Sequence, residues 1–406
     1  MRQNKLTWVR VIATDMLMLC FSMSISLQGQ LFSSIKEAYG LSLSQGGLLL
    51  SMQSVGGALL AVVCILFISV LNKTRLMVAC GLVLCVLLML VGVLPPLILL
   101  FIMYAVLGFS GGAINTLSNS VMVDTVPQKA ERYINFMHML FSLGSVIAPV
   151  AAQAIFPSVG LSGVFLIFGG FSLCWAVYAV FAFSSHMKTP LITGSFSVGP
   201  RFREAAAVLK TRGMSIVFVF SILMTTWQLS AIYYISTLFA DITHSPMKGA
   251  FALSLLFLGM MIARLIYARF AEKYSKGRVL MLFNCLGLLA WTAVFFVPDI
   301  TAKYIFVVIS AMACGNNFPI TFSAACRLVP HNTAAASGFV NLGYYIAIFV
   351  FIPIVGALGD SIGLHNALLL CGVALLLLLP LAYLLHRRMR TPLADASSHI
   401  DQKILP

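Results

Sequence analysis

Amide and aromatic side chains interrupt the longest apolar stretches of this chain. Asn115 and Asn119 are four residues apart, which places them on one face of a helix. Amides offer hydrogen-bond donors and acceptors, and aromatic rings offer flat faces, so together they suit a neutral polyhydroxylated solute. The same amides could instead only bridge neighbouring helices. The residues of this kind are Gln28, Gln30, Asn115, Asn119, Trp227, Gln228, Tyr233, Tyr234, Asn316, Asn317 and Asn341.

Three ionisable residues also lie inside apolar stretches: Asp15, His138 and Arg264. A charge in apolar surroundings is costly, so each is a functional hypothesis. His138 could be a titratable coupling group, or it could make a helix-to-helix hydrogen bond. Asp15 is the acid among these three residues, and it is therefore the best remaining candidate for proton coupling. Alternatively, it pairs with a basic residue at the end of its stretch.

The composition shows what solvent these stretches face. Hydrophobic residues make up 61% of the 406 residues and charged residues only 9%, whereas soluble domains carry about 25% charged residues. The sequence therefore predicts an all-α membrane protein with twelve spanning helices, since a span needs about 20 apolar residues. The predicted spans are 9–31, 45–69, 76–94, 97–121, 134–156, 161–183, 214–238, 249–270, 279–297, 304–326, 335–358 and 364–385.

The chain repeats itself at an offset of 203 residues, which is the distance from Val126 to Val329. Both stretches begin with Val-Pro, and His138 in the first meets Asn341 in the second. An internal repeat of this length predicts two related six-helix halves. We divide the chain into an N-terminal half (1–185), a linker with a short amphipathic helix (186–212), a C-terminal half (213–390) and a tail (391–406).

Basic residues are distributed unevenly across the predicted membrane. The chain has 25 Lys and Arg against 11 Asp and Glu, a net charge of +14. If both termini are cytoplasmic, only Lys36, Lys248 and Lys303 lie on the other side, and Arg264 lies within a span. This positive-inside pattern predicts cytoplasmic termini in a plasma membrane, such as the bacterial inner membrane. The excess charge then requires no nucleic-acid partner.

The loop after the eighth span reads ARFAEKYSKGR from Ala268 to Arg278. It resembles the loop signature G-x-L-a-D-r-x-G-r-k-x of the major facilitator superfamily, with Glu272 as the acid and Ala268 in place of the first glycine. The resemblance implies parallel six-helix repeats, alternating access, and a cavity lined by the first, fourth, seventh and tenth spans. It also implies gating roles for Arg264, which would brace the gate, and for Glu272, Lys276 and Arg278. The matching loop after the second span lacks the acid.

Two further stretches, Ala113–Asn119 and Cys314–Pro319, resemble the fucose–proton symporter branch of that superfamily. That branch carries an acid near the outer end of the first span and a glutamate in the fourth. Gly29 and Asn115 occupy the matching positions here, so these positions cannot carry proton coupling.

These features predict a secondary active or facilitative transporter of a small polar organic solute, with a sugar as the first candidate. A metabolite or drug efflux transporter is the alternative, and a non-transporting receptor on the same fold is a third. The spans contain no Ser/His/Asp set and no paired carboxylates, so we do not expect an enzyme. No nucleotide motif is present, and we expect no cofactor. The expected partners are the solute, protons and the bilayer, and a monomer is sufficient because the two halves form the site.

Overall fold

The computed structural model describes residues 2–67, 71–127, 130–192, 207–211, 213–270, 275–329 and 333–390. Nearly all regular structure in these ranges is helical, and a single bridge between Leu71 and Ile192 is the one β pairing they contain. Most of the predicted linker helix and the whole tail lie outside the described residues, apart from one helical turn at 207–210. Their structure therefore stays a prediction.

The described residues of the first half form seven helices. They are α1 (Arg2–Gln30), α2 (Phe32–Ala38), α3 (Leu43–Phe67), α4 (Lys73–Gly92), α5 (Leu97–Thr125), α6 (Ala130–Ala182) and α7 (Ser184–Met187). Helix α6 is interrupted at Gly160, whose φ of 65° lies in the left-handed region that favours glycine. Its two arms, 130–159 and 161–182, correspond to the fifth and sixth predicted spans.

Eight helices lie in the part of the second half that the structure describes. They are α8 (Met214–Thr243), α9 (Pro246–Phe270), α10 (Lys276–Phe296), α11 (Ile300–Cys314), α12 (Asn317–Leu328), α13 (Thr333–Ile362), α14 (Leu364–Leu370) and α15 (Gly372–Arg390). The tenth and twelfth spans were predicted as continuous, and each is divided: the tenth at Gly315-Asn316 and the twelfth at Cys371. Gly315 packs close to α9, since a Cβ there would lie 2.9 Å from the Met260 Cα.

Eleven helices in the described part of the chain are long and apolar enough to cross a membrane. One of them, Phe136–Ala182, has 47 residues and includes both arms of α6. Since one crossing needs about 20 residues, this helix accounts for two. The prediction of an all-α, twelve-span fold is therefore confirmed.

The internal repeat is visible in the backbone. Gly160 and Gly363 are 203 residues apart, both have positive φ, and each precedes a leucine that begins the next helix. The outer surface is apolar, with Ile98 79% exposed, Phe181 73% and Leu282 69%. Such a surface needs lipid rather than water around it.

We name the two ends of the helical bundle by their residues. The basic end contains Asn72–Arg75, Val126, α7, Ser275–Arg278 and Val329. The opposite end contains α2, Val93–Pro96, His244-Ser245, Val297–Asp299 and Gly363.

Candidate functional site between the two halves

The two halves are joined by side-chain hydrogen bonds at the opposite end. The Ser236 hydroxyl on α8 donates to Gln30 Oε1 on α1 over 2.6 Å. On the neighbouring helix α2, the Ser33 hydroxyl lies 2.9 Å from the Thr237 hydroxyl of α8. These contacts hold the end of α1 and the start of α2 against α8.

A second contact at this end joins α13 to α3. The Asp360 carboxylate accepts hydrogen bonds from the backbone N–H groups of Leu43 and Ser44, at 2.9 and 2.8 Å. These N–H groups begin α3 and have no partner within that helix. Close packing supports the contact, since a Cβ on Gly356 would lie 2.5 Å from the Leu43 carbonyl oxygen. The bundle is therefore closed at the opposite end.

Deeper in the bundle, polar side chains form a chain from the first half to the second. The side-chain amide of Asn119 donates to the backbone carbonyl of Asn115 over 2.8 Å, and Asn119 Oδ1 lies 3.0 Å from His138 Nε2. Ser142, one turn further along α6, donates to the His138 carbonyl over 3.1 Å. Arg264 of α9 then donates to the Ser142 hydroxyl over 3.3 Å. We call Asn115, Asn119, His138, Ser142 and Arg264 the interface network.

The repeat places aromatic residues where the first half has polar ones. At the offset of 203 residues, Asn115 corresponds to Phe318, Asn119 to Phe322, and Ser142 to Tyr345. The rings contact one another: Phe318 and Phe322 have centroids 6.1 Å apart, and Phe318 and Tyr344 6.0 Å. We call Phe318, Phe322, Tyr344 and Tyr345 the aromatic face.

The aromatic face reaches the first half through Tyr345. Its ring lies against Gly57 of α3, and a Cβ on Gly112 of α5 would lie 3.0 Å from its hydroxyl. Apart from the buried Ser142, the residues of the interface network and of the aromatic face are only half-buried, in an otherwise apolar bundle. Pseudo-symmetry therefore places a polar wall on the first half where the second half has an aromatic wall.

Comparison with known proteins identifies the family. The profile of the Major Facilitator Superfamily matches residues 15–241 and 216–404, which together span most of the chain. The chain belongs to the Major Facilitator Superfamily. This confirms the superfamily predicted from the Ala268–Arg278 loop and indicates a multi-pass membrane transporter. None of the curated proteins matches it significantly in sequence.

Three solved structures of this fold are similar along nearly their whole length. A bacterial homologue of the human lysosomal transporter Spinster, in an inward-facing and unoccupied conformation, has a TM-score of 0.73 and 14% identity, with 94% of this chain and 97% of that one covered. The nucleoside transporter NupG has a TM-score of 0.70 and 14% identity, covering 95% and 100%. The E. coli fucose:proton symporter has a TM-score of 0.67 and 13% identity, covering 92% and 98%. At these identities the likeness concerns the fold alone.

Gly29 occupies the position near the outer end of the first span at which an acid was considered. The packing around it leaves no room for a side chain. A Cβ on Gly29 would lie 2.6 Å from the Ile232 carbonyl oxygen of α8. Any side chain there would push α1 and α8 apart in this conformation.

Several predicted site residues lie at helix contacts in this superfamily member. Asn284 and Asn317 exchange amide hydrogen bonds of 2.8 and 3.1 Å between α10 and α12, and both are buried. Asn316 donates to the Ala263 carbonyl of α9 over 2.8 Å. Gln28 is buried and accepts from Gln53 of α3 over 2.7 Å. This arrangement favours the bridging alternative for these amides.

The predicted residues of α8 are divided between its contacts with α9, α10 and α13. The buried Trp227 packs edge-to-face on Trp291 of α10, with centroids 5.4 Å apart. The half-buried Gln228 has its amide nitrogen 3.9 Å from the Met260 sulfur of α9. Tyr233 is buried, and the Tyr234 hydroxyl donates to the Ile352 carbonyl of α13. On α13 itself, the predicted residue Asn341 is half-buried one turn before Tyr345.

Asp15 is the buried acid of α1. It is 3% exposed, and its Oδ1 has no hydrogen-bond partner among the described residues. A buried carboxyl oxygen without a partner is costly, so Asp15 keeps its place as a functional candidate.

At the basic end, the repeat preserves a lysine–serine contact and changes its surroundings. Lys73 donates to Ser120 over 2.8 Å and pairs with Asp124 over 2.9 Å. In the second half Lys276 donates to Ser323 in the same way, but Arg327 takes the place of Asp124. Arg278 is exposed in the first turn of α10, and Glu272 lies outside the described residues.

A separate cleft of about 490 Å³ opens at the basic end. Arg10, Lys73, Asp124, Phe183 and His186 are among its lining residues, and none of its lining residues belongs to the second half. Burial and the neighbouring Arg10 lower the pKa of His186. This cleft is therefore distinct from the region between the polar and aromatic walls.

Sequence reasoning missed Ser142, Asp360 and the aromatic face. The repeat offset contained a signal for the aromatic face, because it aligns Asn115 with Phe318 and Ser142 with Tyr345. Nothing in the local sequence pairs Asp360 with Leu43, which precedes it by 317 residues.

Proposed function

We propose that this transporter moves a small polar organic solute by alternating access, with a sugar or sugar-like solute as the first candidate. The observation that carries the proposal is the pair of unlike walls between the halves. The amides of Asn115 and Asn119 can exchange hydrogen bonds with hydroxyl groups. The rings of Phe318 and Tyr344 can pack against the C–H face of a sugar.

Closure at one end supports the alternating-access part of the proposal. Gln30 and Asp360 join the halves at the opposite end, whereas the interface network is half-exposed nearer the basic end. With the basic end in the cytoplasm, as the positive-inside pattern predicts, this is an inward-open state in a plasma membrane. Both termini are then cytoplasmic.

The proposed binding residues fall into two groups. Asn115, Asn119 and Asn341 are half-buried and would contact solute directly. The others would shape the cavity from positions at or near helix contacts: Gln28, Trp227, Gln228, Tyr233, Asn316 and Asn317.

Proton coupling and gating form the finer part of the proposal. Asp15 would be the coupling acid, because its carboxyl is buried with an unpaired oxygen. His138 would relay protons within the interface network through its contact with Asn119. Arg264, Glu272, Lys276 and Arg278 would form the gate at the basic end.

Export of amphipathic compounds is the second candidate, and the aromatic face supports it. Four adjoining rings on one wall suit a solute with a larger apolar surface than a sugar has.

Uptake by purified protein in liposomes tests these alternatives. The panel would contain labelled sugars, with and without an inward proton gradient, and Asn119→Ala as the site variant. Uptake of one sugar that falls in Asn119→Ala supports the sugar assignment, and loss of gradient stimulation in Asp15→Asn supports coupling through Asp15. If no sugar is taken up but an amphipathic dye is expelled, export of amphipathic compounds replaces sugar transport as the proposed function.

A further inference from the structure

The guanidinium of Arg264 lies between the two halves without a counter-charge in the described part of the chain. It donates to the Ser142 hydroxyl over 3.3 Å, and its carbon lies 6.0 Å above the centroid of the Phe141 ring. Both partners are neutral. Lys73 and Asp124 form the one ion pair within the described residues. An arginine has five N–H donors, so this group retains capacity for an anionic partner.

The backbone around Arg264 is held in place from two sides. Asn316, at the break between α11 and α12, donates to the carbonyl of Ala263, the residue before Arg264. One face of α9 is tied to the first half by the Ser254 hydroxyl, which donates to the Val146 carbonyl over 2.7 Å. A cation presented from a braced helix is pre-organised, so little further ordering is needed when an anion binds.

The interface network brings the amides and the guanidinium into one connected set. His138 and Ser142 are one turn apart along α6, which is about 5.4 Å. Asn119 contacts the His138 ring, and Arg264 contacts the Ser142 hydroxyl. Hydroxyl-binding groups and a carboxylate-binding group therefore lie in the same network.

We infer that the transported solute is a polyhydroxylated organic acid, whose carboxylate pairs with Arg264 while its hydroxyls bind Asn115 and Asn119. This inference rests on the proposed function and adds the charge of the solute to it. The guanidinium fork suits a carboxylate because two parallel N–H groups can bind its two oxygens. A solute that brings its own negative charge would compensate the buried cation during transport.

Matched acid and neutral sugars test the inference. The purified protein, reconstituted in liposomes, is given labelled D-glucuronate or D-glucose, and D-galacturonate or D-galactose. We expect the acid of at least one pair to enter at least about tenfold faster than its neutral partner, since charge-assisted pairs are the strong ones. Arg264→Gln should reduce uptake of the acid about tenfold more than it reduces uptake of the neutral member, because only the acid pairs with the guanidinium.

Two further variants keep the result interpretable. Arg264→Lys keeps the charge but loses the fork, so its preference for the acid should be intermediate. Arg388→Gln removes an exposed arginine at the end of α15 and should leave both uptakes unchanged. If Arg264→Gln does not fold, the inference is tested by the preference of the wild type for the acid over the neutral sugar and by the weaker preference expected of Arg264→Lys.

The outcomes separate the inference from the proposed function. Equal uptake of acid and neutral sugar by the wild type, or an equal fall of both in folded Arg264→Gln, would overturn the inference and leave sugar transport standing. Arg264 would then be a gate brace. Uptake of neither member of any pair would overturn the sugar-like substrate class and the inference together.

Discussion

The carboxylate of Asp360, near the end of α13, lies 2.8 Å from the backbone nitrogen of Ser44, at the start of α3. An acid from the second half therefore caps a helix of the first half. Helix N-termini carry partial positive charge and unpaired N–H groups, so a carboxylate is stabilising there. Because the cap crosses between the halves, we expect it to be released when the opposite end opens.

Replacing Asp360 should open this end. We expect Asp360→Ala to lose about 0.5–2 kcal/mol of capping energy, all of it from the closed state. Hydrogen exchange at the start of α3 should then become faster, measured by mass spectrometry on the peptide around Leu43–Leu50.

Asp299 offers a matched control, because it caps its own helix by accepting from Ala302 N over 2.7 Å. Asp299→Ala should speed exchange at the start of α11 and leave α3 unchanged. Unaltered exchange of α3 in Asp360→Ala would show that the cross-half cap contributes little to closure.

Asn317 should matter for stability more than for solute choice. Its exchange of hydrogen bonds with Asn284 is buried. Asn317→Leu would leave Asn284 Oδ1 without its amide donor, at a cost of about 1–3 kcal/mol, while Asn284 Nδ2 keeps its bond to the Leu280 carbonyl. We expect a lower melting temperature by differential scanning fluorimetry and an unchanged order of solute preference. The double variant Asn284→Leu with Asn317→Leu should recover part of the loss, since no amide is then left unpaired. An altered solute preference with normal stability would instead place Asn317 in the cavity.

Gly57 should be essential because of Tyr345. The ring of Tyr345 lies directly against the Gly57 Cα, leaving no room for a side chain. We expect Gly57→Val to hold α3 and α13 apart and abolish uptake in liposomes. Uptake should return when Tyr345→Ala is added, because the smaller side chain vacates that space. Failure of this rescue, with both proteins folded, would mean that the contact does not limit transport.

The ion pair at the basic end should contribute little to stability. Asp124 is 58% exposed, and exposed pairs contribute about 0–1 kcal/mol. Asp124→Asn should therefore change the unfolding temperature only slightly, and less in high salt than in low salt. Arg327→Asp should create the equivalent pair with Lys276 and produce a similarly small gain. A large destabilisation by Asp124→Asn would indicate that this acid has a further partner.

Local features of the sequence were sufficient to establish the membrane fold. Spanning helices follow from stretches of about 20 apolar residues, because the bilayer leaves helices as the way to pair every backbone group. The repeat aligned Gly160 with Gly363, and both have positive φ. Asn115 and Asn119 were assigned to one helix face from their spacing, and the Asn119 amide bonds back to the Asn115 carbonyl.

The tertiary structure decided which of the polar residues meet. Arg264 and Ser142 are 122 residues apart, and Asp360 and Leu43 are 317 apart. No periodicity within one helix predicts such contacts, because they depend on how the two halves pack against each other. Asn317 and Asn115 look alike in the sequence, yet Asn317 bonds to a buried partner on α10 and Asn115 is half-buried in the interface network. Helix rotation and crossing set this difference, and both are determined by packing against other helices rather than by local sequence.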